Sequence, residues 1–329
     1  LWSGAQATFA NWQISLGTLT AFVLLFKRFF DPITALGEEW QTVQSALSGA
    51  ERIFQVLDTP VEDVKRSERP IPPGSPGITV SQLTFGYFPE QPVLRQVSFT
   101  VAPGEHVALV GRTGAGKSSI VHLLGGLYAP WQGELRVTGL DPRQLPEDER
   151  RKVIGVVPQA VQLFSGTVLE NLTLGDEKVP FNAVENAAIT AGADAFIRSL
   201  PQGYHTLINS GSGGGVQLSS GQRQLLSLAR ALVWNPPVLL FDEATSAIDS
   251  ASEASFRQAL EQESSRHQRA ILTVAHRLST ARAADRVIVL DHGRILEMGA
   301  PDELVHKGGR FAALLELEAA GWEWRNNPN

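Results

Sequence analysis

From Ile14 to Phe30 the chain reads ISLGTLTAFVLLFKRFF, apolar except for Ser, Thr, Gly and the Lys27-Arg28 pair. Its clean core, Leu16 to Phe26, is about half of the ~20 residues that a membrane-crossing helix needs. A buried helix of a soluble domain therefore fits the length as well as a membrane segment does. In the membrane reading, Lys27-Arg28 marks the cytoplasmic end, because basic residues collect on that side. From Ile33 to Leu57 the chain turns polar, yet Leu36, Trp40, Val43, Leu47, Ile53 and Leu57 recur at three-, four- or six-residue steps. That spacing predicts a helix with one apolar face, as in a long helix leaving a membrane for water.

The pattern then breaks. Thr59 to Gly77 holds Pro60, Pro70, Pro72, Pro73 and Pro76 among charges, the composition of a linker and a domain boundary. From Ile78 onward, short β-rich runs (ITVSQLTF, QVSFTV, HVALVG, VIGVVP, PVLLFDE, AILTVAH, RVIVLD) alternate with helical stretches. The alternation predicts an α/β domain with a largely parallel sheet. Three parts follow: residues 1–58, a linker at 59–77, and a domain over 78–329.

Composition narrows the reading. In a chain of 329 residues, 43% are hydrophobic, enough for a proper core and against disorder as the main state. A mean hydropathy of −0.04 excludes a chain made mostly of membrane spans. The net charge of −6 gives no global attraction to nucleic acid or anionic lipid. With zero Cys, disulfides, thiolate catalysis and Cys-ligated metals are removed. The chain starts at Leu1 and its only Met is Met298, so it reads as a fragment or a processed chain.

The sharpest chemistry follows the run HVALV. There GRTGAGKS, Gly111 to Ser118, leads into the helical stretch SSIVHLLGGL. This is G-x-x-x-x-G-K-[ST] between strand and helix, the phosphate-binding P-loop. Gly114 and Gly116 let the backbone turn so that the amides of Arg112, Thr113, Ala115, Ser118 and Ser119 can face phosphates. Lys117 brings positive charge to the β- and γ-phosphates, and the Ser118 hydroxyl is a Mg²⁺ ligand. The run PVLLFDE, Pro237 to Glu243, is a buried strand opening on two carboxylates where α/β sheets place ligands. Asp242 would hold Mg²⁺, and Glu243 would polarise the attacking water.

Further strings carry a family resemblance. LSSGQRQLLSLARAL, Leu218 to Leu232, resembles the signature motif of ATP-binding cassette (ABC) proteins, usually written LSGGQ. DEATSAID, Asp242 to Asp249, resembles their Walker B and D-loop region, and TVAHRL, Thr273 to Leu278, their switch-histidine region. VVPQAVQLFSGTVLENL, Val156 to Leu172, resembles the Q-loop of the exporters among them. The resemblance runs from about Gly77 to Leu317 and implies a cassette with a mixed-sheet core and a helical subdomain. It assigns Tyr87 to stacking on adenine. Gln159 falls to Mg²⁺ and the water, His276 to the γ-phosphate, and Asp249 to communication across a dimer. Ser219, Ser220, Gly221 and Gln222 would open a helix that binds the γ-phosphate of ATP held by a partner's P-loop. Two cassettes would thus sandwich two ATP molecules.

Upstream, GTLTAF, the Asp31-Pro32 step and ERIFQVLDTP resemble the last transmembrane helix of a type IV exporter and its cytoplasmic extension. The implied whole is a half-transporter that hydrolyses ATP to export an unidentified substrate. Its cassette would face the cytoplasm at the cell membrane, and its dimer partner would be a second half-transporter. Two departures stand out. Position 220 is Ser where the family usually has Gly, and INSGSGGGVQ, Ile208 to Gln217, carries Ser210 where an acid is expected. These leave open a degenerate or regulatory cassette that binds ATP with little hydrolysis. A soluble ABC ATPase acting on DNA or ribosomes would carry a coiled-coil insertion, tandem cassettes or a basic patch, and none is found in the sequence.

Overall fold

The architecture is that of a computed structural model, which describes residues 16–59, 77–208, 215–242, 268–275 and 277–319. Glu243, Asp249, His276, Ser210 and residues 60–76 of the linker lie outside the described residues. The chain divides into two compact units, Leu1–Asp63 and Val64–Asn329.

In the first unit the two helical patterns form one α-helix of 42 residues, Leu16–Leu57. At 1.5 Å per residue it is about 63 Å long. Pro32 lies inside it, so the Asp31-Pro32 step does not end the helix, and the Thr34 hydroxyl donates to the Asp31 carbonyl at 2.8 Å. Phe22, Leu25, Phe29, Leu36, Trp40 and Leu57 all stand exposed along it. Among the described residues no helix is long and apolar enough to cross a membrane.

The second unit holds every described strand, among them a short antiparallel pair, β6 (Gly166–Thr167) and β7 (Leu207–Ile208). Strands β1 (Ile78–Phe85), β2 (Leu94–Val101) and β4 (Gln132–Val137) form an antiparallel sheet in the order β2-β1-β4. The other main sheet runs β11-β10-β3-β9-β8-β5, with β3 at His106–Gly111, β5 at Ile154–Val157, β8 at Val238–Asp242, β9 at Ala270–Val274, β10 at Arg286–Asp291 and β11 at Arg294–Gly299. Five of these six are parallel, and only β11 runs antiparallel.

Strand periodicity explains why the central runs are almost wholly apolar. Val107, Leu109, Val238, Leu240, Leu272 and Ile288 pack on one face with the antiparallel sheet and the helix Lys117–Leu124. Their neighbours Leu239, Phe241 and Ile271 face a helical layer containing Leu172, Val184, Leu226 and Leu228. Ala108, Val110, Val287 and Val289 meet Phe311 and Leu314 of the C-terminal helices. A parallel sheet covered on both faces needs apolar residues at every position, so alternation disappears.

Four of the described strands, the two-residue β6 and β7 together with β4 and β11, escape the pattern reading. β4 leaves four of its six residues exposed, and no residue of β11 is buried. Such edge strands bury too little to carry an apolar signature. The antiparallel sheet departs from the largely parallel domain that the strand–helix alternation predicts, and it fits the mixed-sheet core that the family resemblance implies.

Candidate functional site

The register of the parallel strands brings the predicted chemistry to one edge. Leu109 of β3 pairs with Val274 of β9, which pairs with Asp242 of β8, while Phe241 pairs with Val157 of β5. The P-loop after β3, the carboxylate closing β8 and the Gln159 segment after β5 therefore leave the same end of the sheet. This is the end at which open α/β sheets place ligands. Asp242 is itself buried there.

Backbone geometry makes the P-loop an anion cradle. Gly116 adopts φ 100° and caps the helix Lys117–Leu124, and among the described residues no side chain caps that end. A Cβ at Gly116 would stand 2.6 Å from Leu94 Cδ2, so the left-handed conformation and the close packing both demand glycine. A helix end without a side-chain acceptor presents its first N–H groups, and the positive end of its dipole, to a ligand. Arg112 is half-buried and Thr113 and Gly114 are exposed at the turn, while Ala115 is buried beneath it.

Lys117 is buried at 5% exposure, and its Nζ donates to the carbonyl oxygens of Gly111 at 2.8 Å and Arg112 at 3.0 Å. The Ser118 hydroxyl donates to Asp242 Oδ1 at 2.8 Å. A hydroxyl and a carboxylate in contact are hard oxygen donors, the ligand chemistry that Mg²⁺ takes beside a phosphate. Two of the three residues assigned to the metal from sequence are thus brought together. Gln159, the third, is exposed just beyond β5.

The signature segment opens the helix Ser220–Leu232. Ser219 Oγ accepts from the Gln222 amide at 3.2 Å, and Gln222 Oε1 accepts from the Ser219 amide at 2.9 Å. This capping box satisfies two of the donors at the helix start reciprocally. Ser219 and Ser220 are exposed and Gly221 is buried, so the exposed motif atoms point outward from a rigid helix start.

Tyr87, after β1, places its hydroxyl 3.1 Å from Ser119 Oγ and 3.3 Å from His122 Nδ1. Its ring meets Phe85 and Tyr128 edge-to-face, with centroids 5.0 and 5.2 Å away.

Pattern reading missed a latch behind the site. Asn171 Nδ2 donates to the carbonyls of Phe164 (2.8 Å) and Thr167 (3.0 Å), and its Oδ1 accepts from the Phe164 amide at 2.9 Å. Arg230, on the signature helix, donates to Asn171 O at 2.8 Å, Asn171 Oδ1 at 3.1 Å and Gln162 O at 3.0 Å. Its guanidinium also lies 5.8 Å from the Phe164 ring centroid. Burial pulls the Arg230 pKa below the ordinary arginine value. These contacts clasp the segment after Gln159 to the signature helix. Only the pairing of distant residues reveals them, since an Asn or Arg in a helix is commonplace.

Comparisons with known proteins show what the chain is similar to. The sequence profile of the family described as "ABC transporter" matches residues 94–246. The chain is 43% identical over 309 residues to the ATP-dependent lipid A-core flippase of Aromatoleum aromaticum, covering 93% of this chain and 50% of that protein. It is 36% identical over 325 residues to the ATM1-type heavy metal exporter of Novosphingobium aromaticivorans, covering 97% and 53%. A solved structure of a bacterial Atm1-family ABC exporter with ATP bound superposes with a TM-score of 0.72 at 35% identity, covering 96% of this chain and 55% of that one. The chain spans about half the length of the curated relatives it matches.

Proposed function

This chain carries an ABC transporter domain, and on that premise we propose that it is the ATP-binding and ATP-hydrolysing half of an exporter. The observation that carries the reading is the Ser118–Asp242 contact beneath an uncapped P-loop helix, with the Lys117 ammonium buried beside it. One relative of the chain is an exporter and another a flippase by name, and the match to the exporter covers 97% of this chain, so it takes in the helix Leu16–Leu57. That helix is accordingly read as the end of a transmembrane domain and its cytoplasmic extension, with the cassette on the cytoplasmic side of a cell membrane. The division into residues 1–58, 59–77 and 78–329 belongs to the same reading.

In this mechanism the backbone amides of Gly111 to Ser119 bind the ATP phosphates, and Lys117 balances their charge. Ser118, Asp242 and Gln159 would hold Mg²⁺, which when bound neutralises charge on the β- and γ-phosphate oxygens. Glu243 accepts a proton from water as the water oxygen bonds to the γ-phosphorus and the bond to ADP breaks. His276 steadies the γ-phosphate, and Asp249 links the two halves of a dimer. Ser219, Ser220, Gly221 and Gln222 complete the site of a second cassette, in a second half-transporter.

Replacing Glu243 by Gln keeps the shape and removes the base. Steady-state ATP turnover should vanish while an ATP-bound dimer accumulates on size-exclusion chromatography. Turnover at the wild-type rate would sink the assignment.

A further inference from the structure

The aromatic residue at the mouth of the P-loop is tied to the helix that binds the phosphates. Ser119 and His122 are three apart on the helix Lys117–Leu124, so they share one face. Both reach the Tyr87 hydroxyl, at 3.1 and 3.3 Å. One arrangement has Ser119 donating to the phenol oxygen and the phenol donating to His122; the other tautomer of His122 reverses both bonds. The hydroxyl is therefore tethered twice whichever tautomer is present.

The ring is held as well. Phe85 and Tyr128 meet it at interplanar angles of 79° and 88°. The backbone beside it is pinned where the Val93 amide donates to Phe85 O at 2.7 Å and the Trp131 amide donates to Thr84 O at 2.9 Å. A Cβ on Gly86 would stand 2.2 Å from Gln91 O and 2.6 Å from the Trp131 ring. The turn carrying Tyr87 is thus packed tightly, while Tyr87 as a residue remains 43% exposed.

We propose that Ser119, His122 and Tyr128 are positioning residues that preset the Tyr87 ring as a platform for the base of a nucleoside triphosphate. Their anchorage in the P-loop helix ties base and phosphate recognition into one rigid unit. The inference rests on the ATP-binding reading above and deepens it by naming what orients the base. Holding an aromatic side chain in place beforehand removes part of the ordering cost that a ligand otherwise meets.

The test separates base from phosphates. Tyr87→Phe keeps the ring and removes the tether, His122→Leu removes one tether partner, and both are combined in a double variant. Binding of ATP and of inorganic tripolyphosphate is measured on the full chain by calorimetry. Each single variant is expected to weaken ATP binding about three- to ten-fold, the size of one net hydrogen bond. The double variant should be no worse than the weaker single, because the two residues share one network. Tripolyphosphate binding should not change in any of them. ATP affinity that is unchanged or tighter, or tripolyphosphate affinity falling in step, overturns the proposal. A wild-type chain that binds neither ligand overturns the ATP-binding reading together with it.

Discussion

The Ser118 hydroxyl donates to Asp242 Oδ1 at 2.8 Å, joining residues 124 apart in sequence. One sits in the first turn of a helix and the other closes strand β8. Asp242→Asn preserves an acceptor at this point and removes the charge. ATP binding should then lose its enhancement by Mg²⁺, measured by titrating nucleotide with and without the ion. An unchanged Mg²⁺ dependence would show that these oxygens are not the metal site.

Lys117 holds its ammonium on two backbone carbonyls inside the cradle. Lys117→Ala should weaken ATP binding about 10- to 100-fold, the range of a hydrogen bond to a charged partner. Equilibrium binding with thermal unfolding as a folding control checks this. Retained affinity in a folded variant contradicts the assignment.

Ser219 caps the signature helix, so Ser219→Ala should cost about 1 kcal/mol of stability. Its larger effect should fall on the site across the proposed dimer. In a self-paired chain, mixing Ser219→Ala with Lys117→Ala generates dimers with one intact site, because each variant supplies what the other lacks. ATPase activity of the mixture should exceed that of either variant alone. Subunit exchange without recovered activity would refute the head-to-tail sandwich.

The Asn171–Arg230 latch predicts a stability effect away from the phosphates. Arg230→Met retains bulk but leaves the acceptors on Asn171 and Gln162 unanswered. A loss of about 1.5–3 kcal/mol is expected from removing a charged hydrogen-bond donor. Urea denaturation measures it, and a shift below 0.5 kcal/mol, the ordinary range of surface substitutions, would mean the latch carries no load.

His106 supplies a pH dependence. Burial lowers its pKa from 6.5, only partly opposed by the carboxylate of Asp285. Its Nε2 lies 2.9 Å from Thr273 Oγ1. Between the folded value and 6.5 the unfolded chain binds a proton that the folded chain resists. Stability therefore falls as pH drops below 6.5, by at most about 1.4 kcal/mol per pH unit. His106→Gln should flatten this slope in urea midpoints between pH 8 and 5. An equally steep slope in the variant would assign the effect elsewhere.

Much of the fold was legible because a parallel sheet buried on both faces writes itself as continuous apolar runs. The strands at His106–Gly111, Val238–Asp242 and Ala270–Val274 stand where those runs lie. The exposed edge strands β4 and β11 were not legible, since their pairing depends on neighbours and not on their own composition. The 42-residue helix was legible as two segments, and only its backbone shows that Pro32 leaves it continuous.

By itself the sequence determined the P-loop, the carboxylate pair and the signature helix start, because each is local. A glycine conformation, a charge or a cap acts within a few residues of where it is written. Tertiary structure alone decided which distant groups meet. Ser118 reaches Asp242, Tyr87 reaches Ser119 and His122, and Arg230 reaches Asn171 and Gln162. The first of those meetings follows from strand order and register, which place the ends of β3, β8 and β5 along one edge of the sheet. A linear motif contains no information about that order, since pairing partners are chosen by packing across the whole domain.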